Sequence, residues 1–264
     1  MRFQLADRVK KLPPYLFAEL EKIINEKKKQ GIDLISLSIG DPDLPPPPFV
    51  LEALKEESAN PKNHNYSFSQ GEPYFREAVA EWYKERFNVN LDPQKEVVAL
   101  IGSKEGIANI SRAFVNPGDR VLVPDPAYPV YANGSTLLSD GVPVAMPLLE
   151  ENDFKPDVES LNLDGVKIIF LNYPNNPTGF VLERKELTDI VDFVVEHDLT
   201  VISDEVYEYF VYDDAKHHSI ASFNGMFDRV VTVNGFSKTY AMTGWRLGYV
   251  VAREEIVKDH HLRL

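Results

Sequence analysis

The residues best equipped for chemistry lie between Asn234 and Tyr249, which reads N-G-F-S-K-T-Y-A-M-T-G-W-R-L-G-Y. A β-branched run, Val230 to Val233, leads into this stretch as a buried strand. Lys238 follows, among small and hydroxylated residues, with Arg246 eight positions later. A lysine at the end of a core strand is poorly hydrated, which penalises its ammonium form and lowers its pKa. Such an amine is suited to condense with a carbonyl as a Schiff base. Ser237 and Arg246 are the residue types that hold a phosphate, a hydroxyl donor and a charged fork. A lone S-K pair more often belongs to a snorkelling surface lysine beside an unrelated arginine. The other strand ends must therefore decide.

Three of those ends carry candidate groups. Gly102-Ser103-Lys104-Glu105-Gly106 places Ser103 as an N-cap, with the backbone N–H groups of a helix start behind it. Most such serines are only caps. Asn175-Asn176-Pro177-Thr178-Gly179 reads as a turn whose amide can also donate to a ligand oxygen. Ser203-Asp204-Glu205-Val206-Tyr207 puts Asp204 at the end of a short core strand, where a poorly solvated carboxylate calls for a cation. A strand-end aspartate that merely caps the next turn is an equally good reading of that residue alone.

Several chemistries are excluded. No two of the 14 glycines are spaced G-x-G, so the dinucleotide fingerprint is absent. No lysine sits in a P-loop, and there is no G-x-S-x-G elbow. With no cysteine there is no thiolate site or disulfide, and the pairs His217-His218 and His260-His261 lack metal-binding spacing, so no metal is expected. A net charge of −13 argues against nucleic acid or an anionic membrane as partner. No apolar stretch approaches the ~20 residues of a membrane span, and Met1 to Tyr15 has no signal-peptide core. The expectation is a soluble, cytoplasmic protein.

The elements that would position these groups alternate regularly. Leu16 to Gln30 reads as a helix, Asp33 to Ile39 as a strand, and Pro45 to Pro48 as an extended rigid connector. Helices follow at Phe49 to Ser58 and Glu72 to Phe87, separated by the polar aromatic loop Tyr66 to Gly71. Then come strand Glu96 to Ile101, helix Ser103 to Phe114, strand Arg120 to Val123, helix Tyr128 to Leu138 and strand Val142 to Met146. Strand Val166 to Leu171, helix Glu183 to His197, strand Thr200 to Ser203 and the passage carrying Lys238 complete the series. This predicts an α/β fold, a mainly parallel central sheet with helices on both faces. Ligands of such sheets sit beyond the carboxyl ends of the strands.

A reactive lysine, a buried carboxylate, an asparagine, a tyrosine and phosphate donors match what pyridoxal phosphate requires. The motifs G-S-K-E-G, D-P-A-Y-P-V-Y, N-N-P-T-G, S-D-E-V-Y and S-K-T-Y-A-M-T-G-W-R, in family order and spacing, resemble the fold type I pyridoxal-phosphate aminotransferases. K-L-P-P-Y-L-F-A-E, I-G-D-P-D-L-P and A-L-I-G-S-K-E-G-I-A are most similar to the diaminopimelate branch. S-D-E-V-Y and N-G-F-S-K-T are closer to the aspartate, alanine or aromatic branch. The resemblance implies that Lys238 holds the cofactor aldehyde and that Asp204 keeps the pyridine nitrogen protonated. It assigns the phenolic oxygen to Tyr207 and Asn176, the ring face to Tyr128, and the phosphate to Ser103, Lys104, Ser237 and Arg246. Gly235 stands where many relatives have a further phosphate-binding serine. Tyr66 matches a tyrosine that reaches the phosphate of a partner subunit, implying a homodimer, and Tyr15 and Gly40 match positions lining the substrate pocket.

The implied reaction moves an amino group from an amino acid such as diaminopimelate or aspartate to a 2-oxo acid such as 2-oxoglutarate. The implied organisation is an arm with part of a small domain over residues 1–48 and a cofactor-binding large domain over 49–264. The family continues further, completing the large domain and building most of a small domain that carries a carboxylate-clamping arginine. The segment Lys258 to Leu264 departs from the family pattern. The expectation is an incomplete small domain and a weak aminotransferase. The alternatives are a cofactor-binding remnant without activity or a β-elimination lyase.

Overall fold

A computed structural model describes residues 3–257. The segment Lys258 to Leu264, with its His260-His261 pair, lies outside the described residues. Among the described residues seven strands form one sheet: β1 (Val97–Leu100), β2 (Arg120–Asp125), β3 (Val142–Pro147), β4 (Val166–Asn172), β5 (Thr200–Asp204), β6 (Val230–Gly235) and β7 (Gly248–Val251). Their order is β1-β7-β6-β5-β4-β2-β3. All neighbours are parallel except β7, which runs antiparallel to both β1 and β6. The mainly parallel sheet is the one that the alternation of strands and helices predicts.

Among the described residues eight α-helices accompany it: α1 (Asp7–Lys10), α2 (Leu16–Lys29), α3 (Pro48–Ser58), α4 (Pro73–Phe87), α5 (Ser103–Phe114), α6 (Arg184–Glu196), α7 (Phe236–Thr239) and α8 (Glu254–Val257). Successive strand residues point to opposite faces, and here they enter two separate cores. Ile168 and Phe170 of β4 join Val231 and Val233 of β6 against Ile107 and Ile110 of α5. Ile169 and Leu171 join Val201 and Tyr249 against Tyr83 of α4 and Ile190 and Val194 of α6. Both faces are thus covered, which explains why the strands read as continuous apolar runs.

Three expectations are corrected. Asp33 to Ile39 is not a strand: no other strand pairs with it among the described residues, and Ile35 and Leu37 stand almost fully exposed. Ile35, Leu37 and Ile39 alternate with Ser36 and Ser38 as strand residues do, but a strand needs hydrogen-bonding neighbours. Tyr128 to Leu138 is not a regular α-helix; Val130–Thr136 forms a π-helical segment, and Leu137–Ser139 a 3-10 turn. Ser103 does not cap α5. Gly102 occupies the N-cap position at φ +80°, and Ser103 is the first helical residue.

Candidate active site

The carboxyl ends of β1, β4, β5 and β6 bring distant residues together. Asp204 is the last residue of β5 and only 3% exposed, since the strand is flanked by β4 and β6. Its Oδ2 accepts a 2.7 Å hydrogen bond from the Tyr131 hydroxyl. Its Oδ1 has a long, 3.4 Å contact from the Val206 amide. Burial pushes the Asp204 carboxyl up to about 6; those two donors act against the rise and the neighbouring Glu205 charge adds to it. No lysine or arginine pairs with it among the described residues.

Asn172 ends β4 and fastens this corner. Its Nδ2 donates to the Asp204 carbonyl at 2.9 Å, and its Oδ1 accepts from the Asn176 amide at 2.8 Å. The turn is thereby folded so that Asn176 Nδ2 donates to the Tyr207 hydroxyl at 3.1 Å. Within the turn, Asn175 Oδ1 accepts from both the amide and the hydroxyl of Thr178, at 3.1 and 2.8 Å. The Tyr207 hydroxyl is pushed up to about 12 by burial and by the Asp204 charge, with the Asn176 hydrogen bond opposing.

Lys238 lies on α7, one turn beyond β6. Its Nζ is 5.9 Å from the centroid of the Tyr207 ring and donates to the Gly40 carbonyl at 2.9 Å. Desolvation lowers its pKa, and Asp41 partly opposes this. The sequence-based expectation of a poorly hydrated lysine is met, and Gly40 is brought to it. Tyr128 is half-buried and stands edge-on to Tyr131 at 5.8 Å. Its hydroxyl is pushed up to about 12 by burial first, then by Tyr15 and Asp204, while Arg246 draws it down. These couplings put Tyr15, Arg246 and Asp204 around Tyr128. Lys104 Nζ lies 5.6 Å from the centre of the same ring.

The start of α5 forms the remaining wall. Helix-start N–H groups lack intrahelical acceptors and attract anions. Arg246 lies against this start so closely that a Cβ at Gly102 would fall 2.4 Å from its Nη2. Its guanidinium is exposed at that point, with Nη1 donating to the Thr243 carbonyl at 2.7 Å. A Cβ at Gly248 would fall 2.8 Å from the Ser103 nitrogen, so β7 presses directly on the α5 start. Ser237 is half-buried in the first turn of α7. Tyr66 is wholly exposed and, among the described residues, makes no hydrogen bond or ring contact with this cluster.

Two residues of the corner escaped the sequence reading. Tyr131 is the last residue of D-P-A-Y-P-V-Y, and Asn172 precedes Y-P-N-N-P. The π-helical turn that aims Tyr131 at Asp204 leaves no periodicity to read. Asn172 looks like the polar end of an apolar run, which is where an asparagine joining two strand ends has to be.

Residues 32–262 match the sequence pattern of the family "Aminotransferase class I and II". The LL-diaminopimelate aminotransferase of Desulforudis audaxviator (strain MP104C) is 47% identical over 261 residues, covering 98% of this chain and 66% of its own length. That of Aquifex aeolicus (strain VF5) is 48% identical over 258 residues, 97% of this chain and 66% of its own. Among solved structures, a single mutant of Thermus thermophilus aspartate aminotransferase superposes with a TM-score of 0.91 at 32% identity, covering 100% of this chain and 67% of that one. The chain thus spans about 66% of the length of the curated relatives it matches. With the family pattern across most of its length and the same fold, the chain belongs to the class I and II aminotransferases.

Proposed function

We propose that this chain binds pyridoxal phosphate and serves in amino-group transfer between an amino acid and a 2-oxo acid. The observation that carries this is the meeting of Lys238, Asp204 and the Asn176–Tyr207 pair at adjacent strand ends. The site fits the group on two further counts. Asp204 is a buried carboxylate without a cation, the situation a protonated ring nitrogen would resolve. Gly102, Arg246 and the α5 start form a glycine-lined anion cradle that any Cβ would fill.

Lys238 would hold the cofactor through Nζ, and Tyr207 and Asn176 would hold its phenolic oxygen. Tyr128 would lie on the ring face, and Ser103, Lys104, Ser237 and Arg246 would take the phosphate. When bound, the cofactor supplies an electron sink that acidifies the Cα–H of an attached amino acid. The work of this chain's own groups is positional and protonic. Ionised Asp204 would hold a proton at the ring nitrogen, and Lys238 Nζ, kept less basic by desolvation, would take the Cα proton and pass it to the cofactor carbon. The 47% identity to LL-diaminopimelate aminotransferases favours a diaminopimelate-type donor, with 2-oxoglutarate as acceptor. A cytoplasmic homodimer, with Tyr66 of one copy reaching the phosphate of the other, completes the proposal.

The purified chain, given pyridoxal phosphate, should develop a visible absorption band, and borohydride should fix the cofactor covalently on Lys238. Lys238→Ala should lose the fixation and keep the fold. Fixation on another lysine overturns the assignment. Donors are then compared: diaminopimelate, aspartate, glutamate and alanine. A 2-oxo acid released without consumption of a second one would favour β-elimination instead.

A further inference from the structure

Tyr131 is only 1% exposed, and every part of it is held. Its ring stacks on Phe170 of β4 at 5.0 Å and 20°, and meets Tyr128 edge-on at 86°. Its carbonyl accepts from the Thr136 hydroxyl at 2.9 Å, closing the π-helical segment upon itself. The Ser135 hydroxyl of that segment donates to the Ile107 carbonyl of α5 at 2.7 Å. A residue so anchored delivers its hydroxyl to one place, and that place is Asp204 Oδ2 at 2.7 Å. Among the described residues the one other donor to the carboxylate is the 3.4 Å amide of Val206, on Oδ1. π-Helical turns inside proteins frequently mark functional sites.

We infer that Tyr131 is a positioning residue for Asp204: by occupying Oδ2 it fixes the rotation of the carboxylate and leaves Oδ1 to meet the ring nitrogen of the cofactor. Without the hydroxyl, a buried carboxylate would lose its short donor and become free to turn. The titratable groups around Asp204 are Tyr131 in the π-helix, Tyr128 just before it, and Glu205 and Tyr207 in its own turn. Lys238 of α7 stands over the Tyr207 ring. Of these groups, Tyr131 is the one hydrogen-bonded to the carboxylate. The alternative is that Tyr131 serves as an aromatic filler, in which case phenylalanine would serve as well. The inference rests on the proposed function for what Asp204 meets, and the first experiment below needs no cofactor.

Tyr131→Phe removes one oxygen and keeps the stack on Phe170. In the cofactor-free chain, carbon-13 NMR of labelled aspartates follows the Asp204 carboxyl, identified as the signal lost in Asp204→Asn. The titration midpoint in Tyr131→Phe should rise by about one pH unit or more, the loss of a roughly tenfold preference for the ionised form. An unchanged midpoint overturns the inference whether or not the chain binds pyridoxal phosphate. In the reconstituted protein, Tyr131→Phe should weaken cofactor binding roughly tenfold and shift the pH midpoint of its visible band. Adding it to Asp204→Asn should weaken binding no further; an equal loss in both backgrounds means that Tyr131 does not act through Asp204. Should the phenylalanine variant fail to fold, 3-fluorotyrosine at position 131 keeps the packing and makes the hydroxyl a stronger donor. The Asp204 midpoint must then fall, and a midpoint that stays put refutes the assignment.

Discussion

Asp204 carries a cost that the cofactor-free protein must bear. Its folded pKa of about 6 lies above the ordinary 3.8, so folding favours the protonated carboxyl. The relative stabilisation is complete below about pH 4 and is lost as the pH rises through about 6. Above that, the buried charge opposes folding by about 3 kcal/mol. Asp204→Asn should therefore stabilise the cofactor-free chain against denaturant at pH 7.5, by up to that amount, and make little difference near pH 4. With pyridoxal phosphate bound the sign should reverse, because the carboxylate then has its cation. Equal stability of the two proteins at both pH values would mean that the charge is not buried as described. At this scale the sequence was legible where placement follows from a core strand, as with Asp204 at the end of β5 and Lys238 just beyond β6. It was illegible where a role depends on a partner 73 residues away, as with Tyr131.

The elements act through how closely they approach. Gly102 combines φ +80° with ψ 154°, a region that residues with a side chain hardly enter, and Arg246 occupies the space a Cβ would need. Gly102→Ala should cost about 1–3 kcal/mol in strain. It should also push Arg246 off the α5 start, so phosphate-dependent binding of the cofactor should fall more than stability does. Comparing pyridoxal with pyridoxal phosphate separates the two effects: a loss confined to the phosphorylated form supports the cradle, and an equal loss in both removes it. The turn after β5 is fixed from behind in the same economical way. Glu205, 2% exposed, accepts from Ser203 and Ser219 hydroxyls, the Ile220 amide and His217, while Glu208 faces Arg86. Asp204 and Tyr207 are thus left for the site side. Helices α2 to α6 followed the sequence pattern to within a residue or two because their caps and apolar stripes are local signals. Asp33 to Ile39 failed because pairing is not local. Nor is the direction of β7 against β1, which depends on strands about 150 residues apart.

The whole chain exposes more surface than its mass requires. A compact monomer of 30.0 kDa would expose about 11,700 Å². This chain exposes 15,801 Å², and much of its exposed apolar surface lies before Gly71. Helix α2 has no buried residue, although its apolar residues line one face, and Ile35, Leu37, Leu44, Tyr66 and Phe68 are all largely in solvent. Large apolar side chains left in solvent in such number mark an interface or a route to aggregation. The proposed homodimer supplies a partner for part of it, and Tyr66, wholly exposed, is the residue assigned to reach across. The purified chain should therefore run above 30.0 kDa in light scattering at micromolar concentration, with a mass that rises with concentration. Ile35→Asp with Leu37→Asp should lower that mass while leaving the circular dichroism intact, since neither side chain contributes to a core. Tyr66→Phe should leave the mass unchanged and weaken binding of pyridoxal phosphate, but only in the associated form. A chain that stays monomeric at every concentration and still binds the cofactor normally would remove the partner subunit from the site.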